Sequence, residues 1–183
     1  MVKDKIQIRA INRIIHINRI IKKVGLDSDV MIALIDNIQE FSIFKPKVFS
    51  SRNILFINYR VFSELVGHLI YNKNLSKDIA LKKLFSYLKE NNIILIKKSN
   101  TNINEVDEIF NILKKQRERL KNKAGDKDLE IISIYKVHNI DLIYSRNSDD
   151  FKPFCEYLRI SFEKLQEDAD VMWRNIFGWR KKS

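Results

Sequence analysis

Lys22-Lys23-Val24-Gly25-Leu26-Asp27-Ser28-Asp29-Val30-Met31-Ile32-Ala33-Leu34-Ile35 is the stretch whose reading decides the fold. Lys22 to Leu26 reads as a short strand that becomes buried, and the apolar run from Val30 to Ile35 reads as a helix opened by Ser28 or Asp29. The same unit recurs along the chain. Ile54-Leu55-Phe56-Ile57 is a continuous apolar run, strand-like and buried, followed by a helix carrying Phe62, Glu64, Leu65, Leu69 and Ile70. Ser76 caps the next helix, with Ile79, Leu81, Leu84, Phe85 and Leu88 as its stripe, and Asn91-Asn92 ends it. Ile93-Ile94-Leu95-Ile96 is a third buried strand. Asn104 caps a helix that Gly125 stops, Asp126 opens another that ends near Asn139, and Asp141 to Tyr144 is a fourth strand. Phe41 to Arg52 reads as a loop. Apolar strands alternating with helices predict an α/β fold with a mainly parallel sheet.

Length and composition bound what surrounds this core. The chain has 183 residues, 45% hydrophobic and 31% charged, which is one domain with room for appended segments. Four Gly and two Pro exclude collagen-like and linker-rich architectures. A single Cys, Cys155, excludes a disulfide framework and an all-cysteine metal site. No apolar run approaches the roughly 18 residues of a spanning helix, and the Ile-rich start is interrupted by Arg and Lys. A cytoplasmic protein without a membrane partner is the expectation. Three regions follow: a basic, Ile-rich N-terminal extension (1–21, with an amphipathic helix from about Lys5 to Ile21), an α/β domain (22–154), and a basic, largely helical C-terminal extension (155–183).

Charge gives the first functional hint. Lys and Arg number 34 against 23 Asp and Glu, a net +11, and such an excess attracts polyanions. Ile, Lys and Asn are abundant throughout, so composition alone could equally produce the excess. Against this background the acids fall in a pattern. Asp27 lies just past the first strand, Glu64 two helical turns past the second, Asp126 and Asp128 at a helix start, and Asn147, Asp149 and Asp150 just past the fourth strand. Parallel sheets bind ligands at the carboxyl ends of their strands, so these groups are expected to meet on one rim. Convergent carboxylates repel and raise one another's pKa; Mg²⁺ or Mn²⁺ relieves that cost. Taken singly, each acid reads as a helix cap before it reads as a ligand. Glu64, set between Phe62 and Leu65, is the informative exception.

Four motifs read together resemble the PIN-domain ribonucleases. Gly25 to Ile32 resembles their opening apolar-Asp-Thr/Ser-Asn/Ser-apolar signature. Tyr59-Arg60-Val61-Phe62-Ser63-Glu64-Leu65 is similar to the second motif, which ends in Glu-Leu. Asp126 to Ile132 is similar to the third, an Asp leading an apolar helix. Tyr144-Ser145-Arg146-Asn147-Ser148-Asp149-Asp150-Phe151 is similar to the fourth. The resemblance covers about Val24 to Phe154. It implies a three-layer α/β/α domain and Mg²⁺- or Mn²⁺-dependent hydrolysis of RNA by a carboxylate-bound metal and an activated water. Carried over residue by residue, it implies that Asp27, Glu64 and Asp128 bind metal. Asp150 or Asp149 supplies the fourth acid beside Asn147, Ser145 is the orienting hydroxyl, and Asp126 could assist Asp128. The toxin-type members are shorter, and both extensions here depart from them; a homodimer and an antitoxin or other protein partner stay open.

RNA contacts are expected from Arg146 near the site, Arg60 at the start of the Glu64 helix, and the block Lys114, Lys115, Arg117, Arg119 and Lys121. That block reads equally as a solvated helix face. Tyr59 and Trp179 are candidate stackers. His16, His68 and His138 are scattered and read as packing or surface residues, and Cys155 as packed beside Phe154. No Ser-His-Asp order, Gly-rich phosphate loop or CxxC pair competes. The alternative to a ribonuclease is a non-catalytic nucleic-acid-binding or partner-docking protein on the same scaffold.

Overall fold

A computed structural model describes residues 21–165. The expected N-terminal helix, His16, Trp179 and the basic tail lie outside the described residues. The elements run β1 (Lys22–Leu26), α1 (Ser28–Ile35), a 3-10 helix (Gln39–Phe44), α2 (Lys45–Val48), β2 (Asn53–Asn58), α3 (Tyr59–Tyr71), α4 (Lys77–Glu90), β3 (Ile93–Ile96), a short 3-10 turn (Lys98–Asn100), α5 (Ile103–Leu120), α6 (Asp126–Val137), β4 (Leu142–Ser145), α7 (Ser148–Leu158) and β5 (Ser161–Lys164).

The five strands form one sheet in the order β3-β2-β1-β4-β5, and every pair is parallel. β1 is therefore central, and Val24, Gly25 and Leu26 are buried. β2 and β3 are continuous apolar runs, as strands of a parallel sheet commonly are, but β3 lies at the sheet edge and is not fully buried as its sequence suggests: Ile94 is exposed, as is Ile54 of β2. The register sets Leu26 beside Tyr144, Gly25 beside Phe56 and Asn58 beside Ile96. The residues that end β1, β2 and β4 consequently emerge on a single rim.

The helices bury stripes of helical period. α3 buries Val61, Leu65 and Leu69, and α4 buries Ala80, Leu84 and Leu88. α6 is buried over Leu129 and Ile131 to Tyr135, so it lies inside the molecule. Each fully buried Leu or Ile contributes about 1.5–3 kcal/mol. Few glycines are available to end helices, and asparagine takes their place: Asn37, Asn74, Asn92 and Asn139 all hold positive φ of 52° or 53°. Asn adopts the left-handed conformation at lower cost than other side chains because its short amide can bond locally.

Four other expectations need correction. Phe41 to Arg52 is not a plain loop: it contains most of the 3-10 helix and all of α2, with Pro46 in the first turn where its missing N–H costs nothing. Asn102, not Asn104, caps α5; its Oδ1 accepts from the Glu105 N–H at 3.4 Å. Gly125 does not stop α5, which ends at Lys121 with φ 49°; Gly125 instead occupies the N-cap position of α6. The chain past Phe154 is not simply helical, because β5 pairs with β4 beyond it.

Candidate active site

Asp27 caps α1 at the carboxyl end of the central strand. Its Oδ1 accepts from the Ser28 N–H at 2.7 Å, and its Oδ2 accepts from the Ser145 hydroxyl at 2.8 Å. Ser145 ends the neighbouring β4, is fully buried, and its Oγ accepts from the Asn147 N–H at 2.9 Å. Asp27 is 4% exposed. Burial pushes its carboxyl well above the ordinary range, Asp29 pushes it further, Ser145 and the Ser28 N–H pull it back, and Asp128 adds to the rise.

Asp128 reaches the same rim from α6. Its Oδ2 accepts from the Gly125 N–H at 2.9 Å. Its carboxyl is raised first by burial; the Gly125 bond opposes this, and Asp150, Glu64 and Asp29 raise it again. Asp128 thus lies within electrostatic reach of acids from three other segments, Asp29, Glu64 and Asp150. Glu64, on α3, is 27% exposed, with the Lys127 ammonium 3.9 Å away. Asp150 is held by Asn147, whose amide donates to its Oδ2 and whose Oδ1 accepts from the Asp150 N–H at 3.3 Å. Asn147 is therefore the cap of α7 and the holder of an acid. Such carboxylate oxygens are the donors that could hold a hard divalent cation. Among the described residues, however, no three Asp, Glu, His or Cys side chains are drawn together tightly enough to form a ready-made ion cage.

Asp29 is the site residue that sequence reasoning passed over. Its Oδ2 accepts from the Arg146 N–H at 3.0 Å, while its Oδ1 is buried with no hydrogen-bond partner among the described residues. Burial raises its carboxyl as well. The signal was present: Asp29 stands where the opening motif has Asn or Ser.

Asp149 sits at the border of the site, and Asp126 turns away from it. Asp149 is exposed, accepts from the Ser148 hydroxyl at 3.2 Å, and lines a cavity of about 360 Å³ with Asp29, Arg146, Asn147, Ser148 and Lys164. Asp126 is 58% exposed; Arg117 binds it at 2.6 Å and Lys114 approaches at 3.8 Å.

The expected basic contacts divide in the same way. Arg117 also donates to the Ala124 carbonyl at 3.0 Å, so it fastens the loop before α6. Lys114 lies 5.3 Å from the centroid of the Phe110 ring. Arg60 pairs with Glu130 at 2.6 Å, and the Tyr59 hydroxyl donates to the same carboxylate at 3.4 Å, joining α3 to α6. Lys115 is exposed, and Arg146 is half-buried at the rim. His68 binds Asp36 at 3.0 Å and His138 contacts Thr101 at 3.1 Å, both apart from the acids. Cys155 is fully buried, and burial pushes its thiol up to about 12, which disqualifies it as a nucleophile.

Two long-range contacts hold the acids in relation. The buried Asn58 amide accepts from the Arg60 and Val61 N–H groups and donates to the Ile131 carbonyl at 3.3 Å, linking the Glu64 helix to the Asp128 helix. The Tyr135 hydroxyl donates to the Leu26 carbonyl at 2.6 Å, fixing α6 against the residue before Asp27.

Neither a family model nor a curated protein matches the sequence. Solved structures do match. One is VapBC2 from Rickettsia felis bound to a DNA fragment from its promoter, with TM-score 0.60, 18% identity, and coverage of 78% of this chain and 98% of that one. DNA-bound VapBC from Salmonella typhimurium has TM-score 0.59 and 16% identity, covering 80% of this chain and 100% of that one. VapBC-1 from nontypeable Haemophilus influenzae has TM-score 0.56 and 12% identity, covering 79% and 99%. These are toxin–antitoxin complexes that contain PIN domains. At such identities the likeness speaks for architecture. With its five parallel strands flanked by helices, this chain has the PIN-like fold that its four sequence motifs implied.

Proposed function

We propose that the protein is a divalent-metal-dependent ribonuclease. One observation carries the reading: Asp27 and Asp128, far apart in sequence, both reach the carboxyl rim of a parallel sheet, where burial raises both carboxyls, Asp29 and Asp128 add to the rise of Asp27, and Asp150, Glu64 and Asp29 add to that of Asp128, in a chain of net charge +11. Without a cation, that arrangement costs free energy through desolvation and repulsion. The donor set fits Mg²⁺ or Mn²⁺, and the buried Asp29 Oδ1 is a further oxygen with no hydrogen-bond partner among the described residues. A bound ion of this kind lowers the pKa of water and offsets charge on a phosphodiester.

The chain's own groups prepare the crevice. The Ser145 hydroxyl holds one oxygen of Asp27, and the Gly125 N–H holds one oxygen of Asp128. Each bond limits rotation of the carboxylate that accepts it. Asn147 does the same for Asp150. Arg146, anchored by its own N–H to Asp29, sets a guanidinium beside the acids, where it offsets the charge of an incoming phosphate. No protein nucleophile is required.

Labelled single-stranded RNA incubated with Mn²⁺ or Mg²⁺ tests the proposal. Cleavage that needs the ion and is lost in Asp27→Asn and Asp128→Asn supports it. Binding without cleavage across several RNAs favours a non-catalytic nucleic-acid module instead. The matched structures are toxin–antitoxin complexes, which supports an antitoxin-type protein partner. Solution mass with and without proteins co-purified from the native source checks that part.

A further inference from the structure

The loop between α5 and α6 does more than reverse the chain. Lys121 takes a left-handed conformation, and the Asn122 N–H then closes onto the Arg117 carbonyl at 3.1 Å. This leaves the Asn122 side chain between two parts of the acidic rim. Its Oδ1 accepts from the Ala124 N–H at 2.7 Å, and its Nδ2 donates to the Asp149 carbonyl at 2.8 Å. Ala124 is followed by Gly125, whose N–H holds Asp128; Asp149 precedes Asp150, which Asn147 holds. One amide thus spans from the peptide adjoining the Asp128 anchor to the peptide adjoining Asp150. Asp150 is also the carboxylate that raises Asp128 most.

We infer that Asn122 is a positioning residue that sets the separation of Asp128 and Asp150, and through it the affinity of the rim for a divalent cation. The inference rests on the metal-dependent reading above and extends it to a residue outside the four motifs. Asn suits the task because the bridge needs an acceptor and a donor on one short side chain. Arg117 braces the same loop through the Ala124 carbonyl, so the fold of the loop does not depend on Asn122 alone. Partners that orient ligating carboxylates typically change metal affinity by about 10- to 100-fold when removed.

The test is calorimetric titration of Mn²⁺ into the full chain, alongside melting curves, for wild type, Asn122→Ala, Asn122→Asp, Asp150→Asn and the double variant Asn122→Ala/Asp150→Asn. Asn122→Asp is the decisive arm. It retains the acceptor for the Ala124 N–H, loses the donor to the Asp149 carbonyl, and adds a negative charge. Charge alone would tighten Mn²⁺; loss of positioning weakens it. Positioning predicts about 10-fold or greater weakening in both Asn122 variants, with cooperative melting retained. It also predicts that Asn122→Ala costs little once Asp150 is gone. Unchanged or tighter Mn²⁺ binding by Asn122→Asp overturns the inference, as do additive effects in the double variant. Loss of cooperative melting in both variants overturns it too, assigning Asn122 to folding. Absence of Mn²⁺ binding by wild type overturns the metal-dependent reading itself, and is told apart by appearing before any substitution is made.

Discussion

Tyr135 occupies the space that Gly25 leaves empty: a Cβ at Gly25 would lie 2.8 Å from the Tyr135 ring, and the Tyr135 hydroxyl donates to the carbonyl of the next residue, Leu26, at 2.6 Å. This contact locks the buried α6 onto the central strand and so relates Asp128 to Asp27. Gly25→Ala must shift either a buried ring or a β-strand, and overpacking of this kind costs about 1–3 kcal/mol. Tyr135→Phe keeps the ring and loses the hydroxyl bond, leaving the Leu26 carbonyl with one partner fewer, for about 1 kcal/mol. Thermal melts check both, and Gly25→Ala is expected to melt lower than Tyr135→Phe.

Asp27 predicts a specific pH dependence. Burial, then repulsion from Asp29, raises its carboxyl in the folded state above the unfolded value. A raised acid binds its proton more readily when folded. Its contribution to stability is therefore full at low pH, below the ordinary carboxylate value of about 3.9, and is lost as pH rises through the folded value. Asp27→Asn removes the charge while keeping a side chain that can accept from the Ser28 N–H. Without added metal, the variant is expected to melt above wild type at neutral pH, by roughly 2–4 °C for each kcal/mol relieved. The gap should close as pH falls, and a gap independent of pH would contradict the assignment.

Arg117 and Arg146 are expected to separate cleanly. Arg117 serves the α5–α6 loop through Ala124 and Asp126, so Arg117→Met should lower stability by about 1–3 kcal/mol. The salt slope of RNA binding should then stay unchanged. Arg146→Ala should do the reverse, with little loss of stability and a salt slope reduced by about one. Melting curves and RNA binding across a salt series measure both effects.

How far these features could be read from the sequence depends on where their causes lie. β2 and β3 were legible because strands of a parallel sheet carry unbroken apolar runs, and β1 because its buried end, Val24 to Leu26, leads straight into a capped helix. The helix stops at Asn92 and Asn139 were legible because backbone geometry there demands a residue tolerant of positive φ. β5 was not. Ser161-Phe162-Glu163-Lys164 pairs only with β4 among the described residues and leaves Ser161 and Lys164 exposed, so its sequence carries no apolar run. α2 was hidden for a similar reason: the Asn53 amide holds it through the Lys47 and Val48 carbonyls, and Lys47 pairs with Glu163 from β5. Glu163 lies more than a hundred residues away, so no local pattern announces that pairing.

At the site, the places of Asp27, Asp128 and Asn147 in the fold were legible because strand ends and helix starts can be located. The division of labour among the bases was not. Arg117 and Lys115 look alike in a charged helix, yet one binds a loop and the other faces water, a difference decided by the distant Ala124 and Asp126. Asp29 escaped notice because a carboxylate in a first helical turn has an ordinary explanation as a partner for the helix dipole. Its buried, unpartnered oxygen is a tertiary fact.

Anomalous diffraction from crystals of the full chain soaked in Mn²⁺ addresses the central claim most directly, because it locates an ion without reference to activity. The predicted result is a peak in the crevice within bonding distance of oxygens from Asp27, Asp128 and at least one of Glu64 and Asp150, absent from Asp128→Asn. A saturating soak with no peak there, or with Mn²⁺ bound only elsewhere on the surface, would contradict the account.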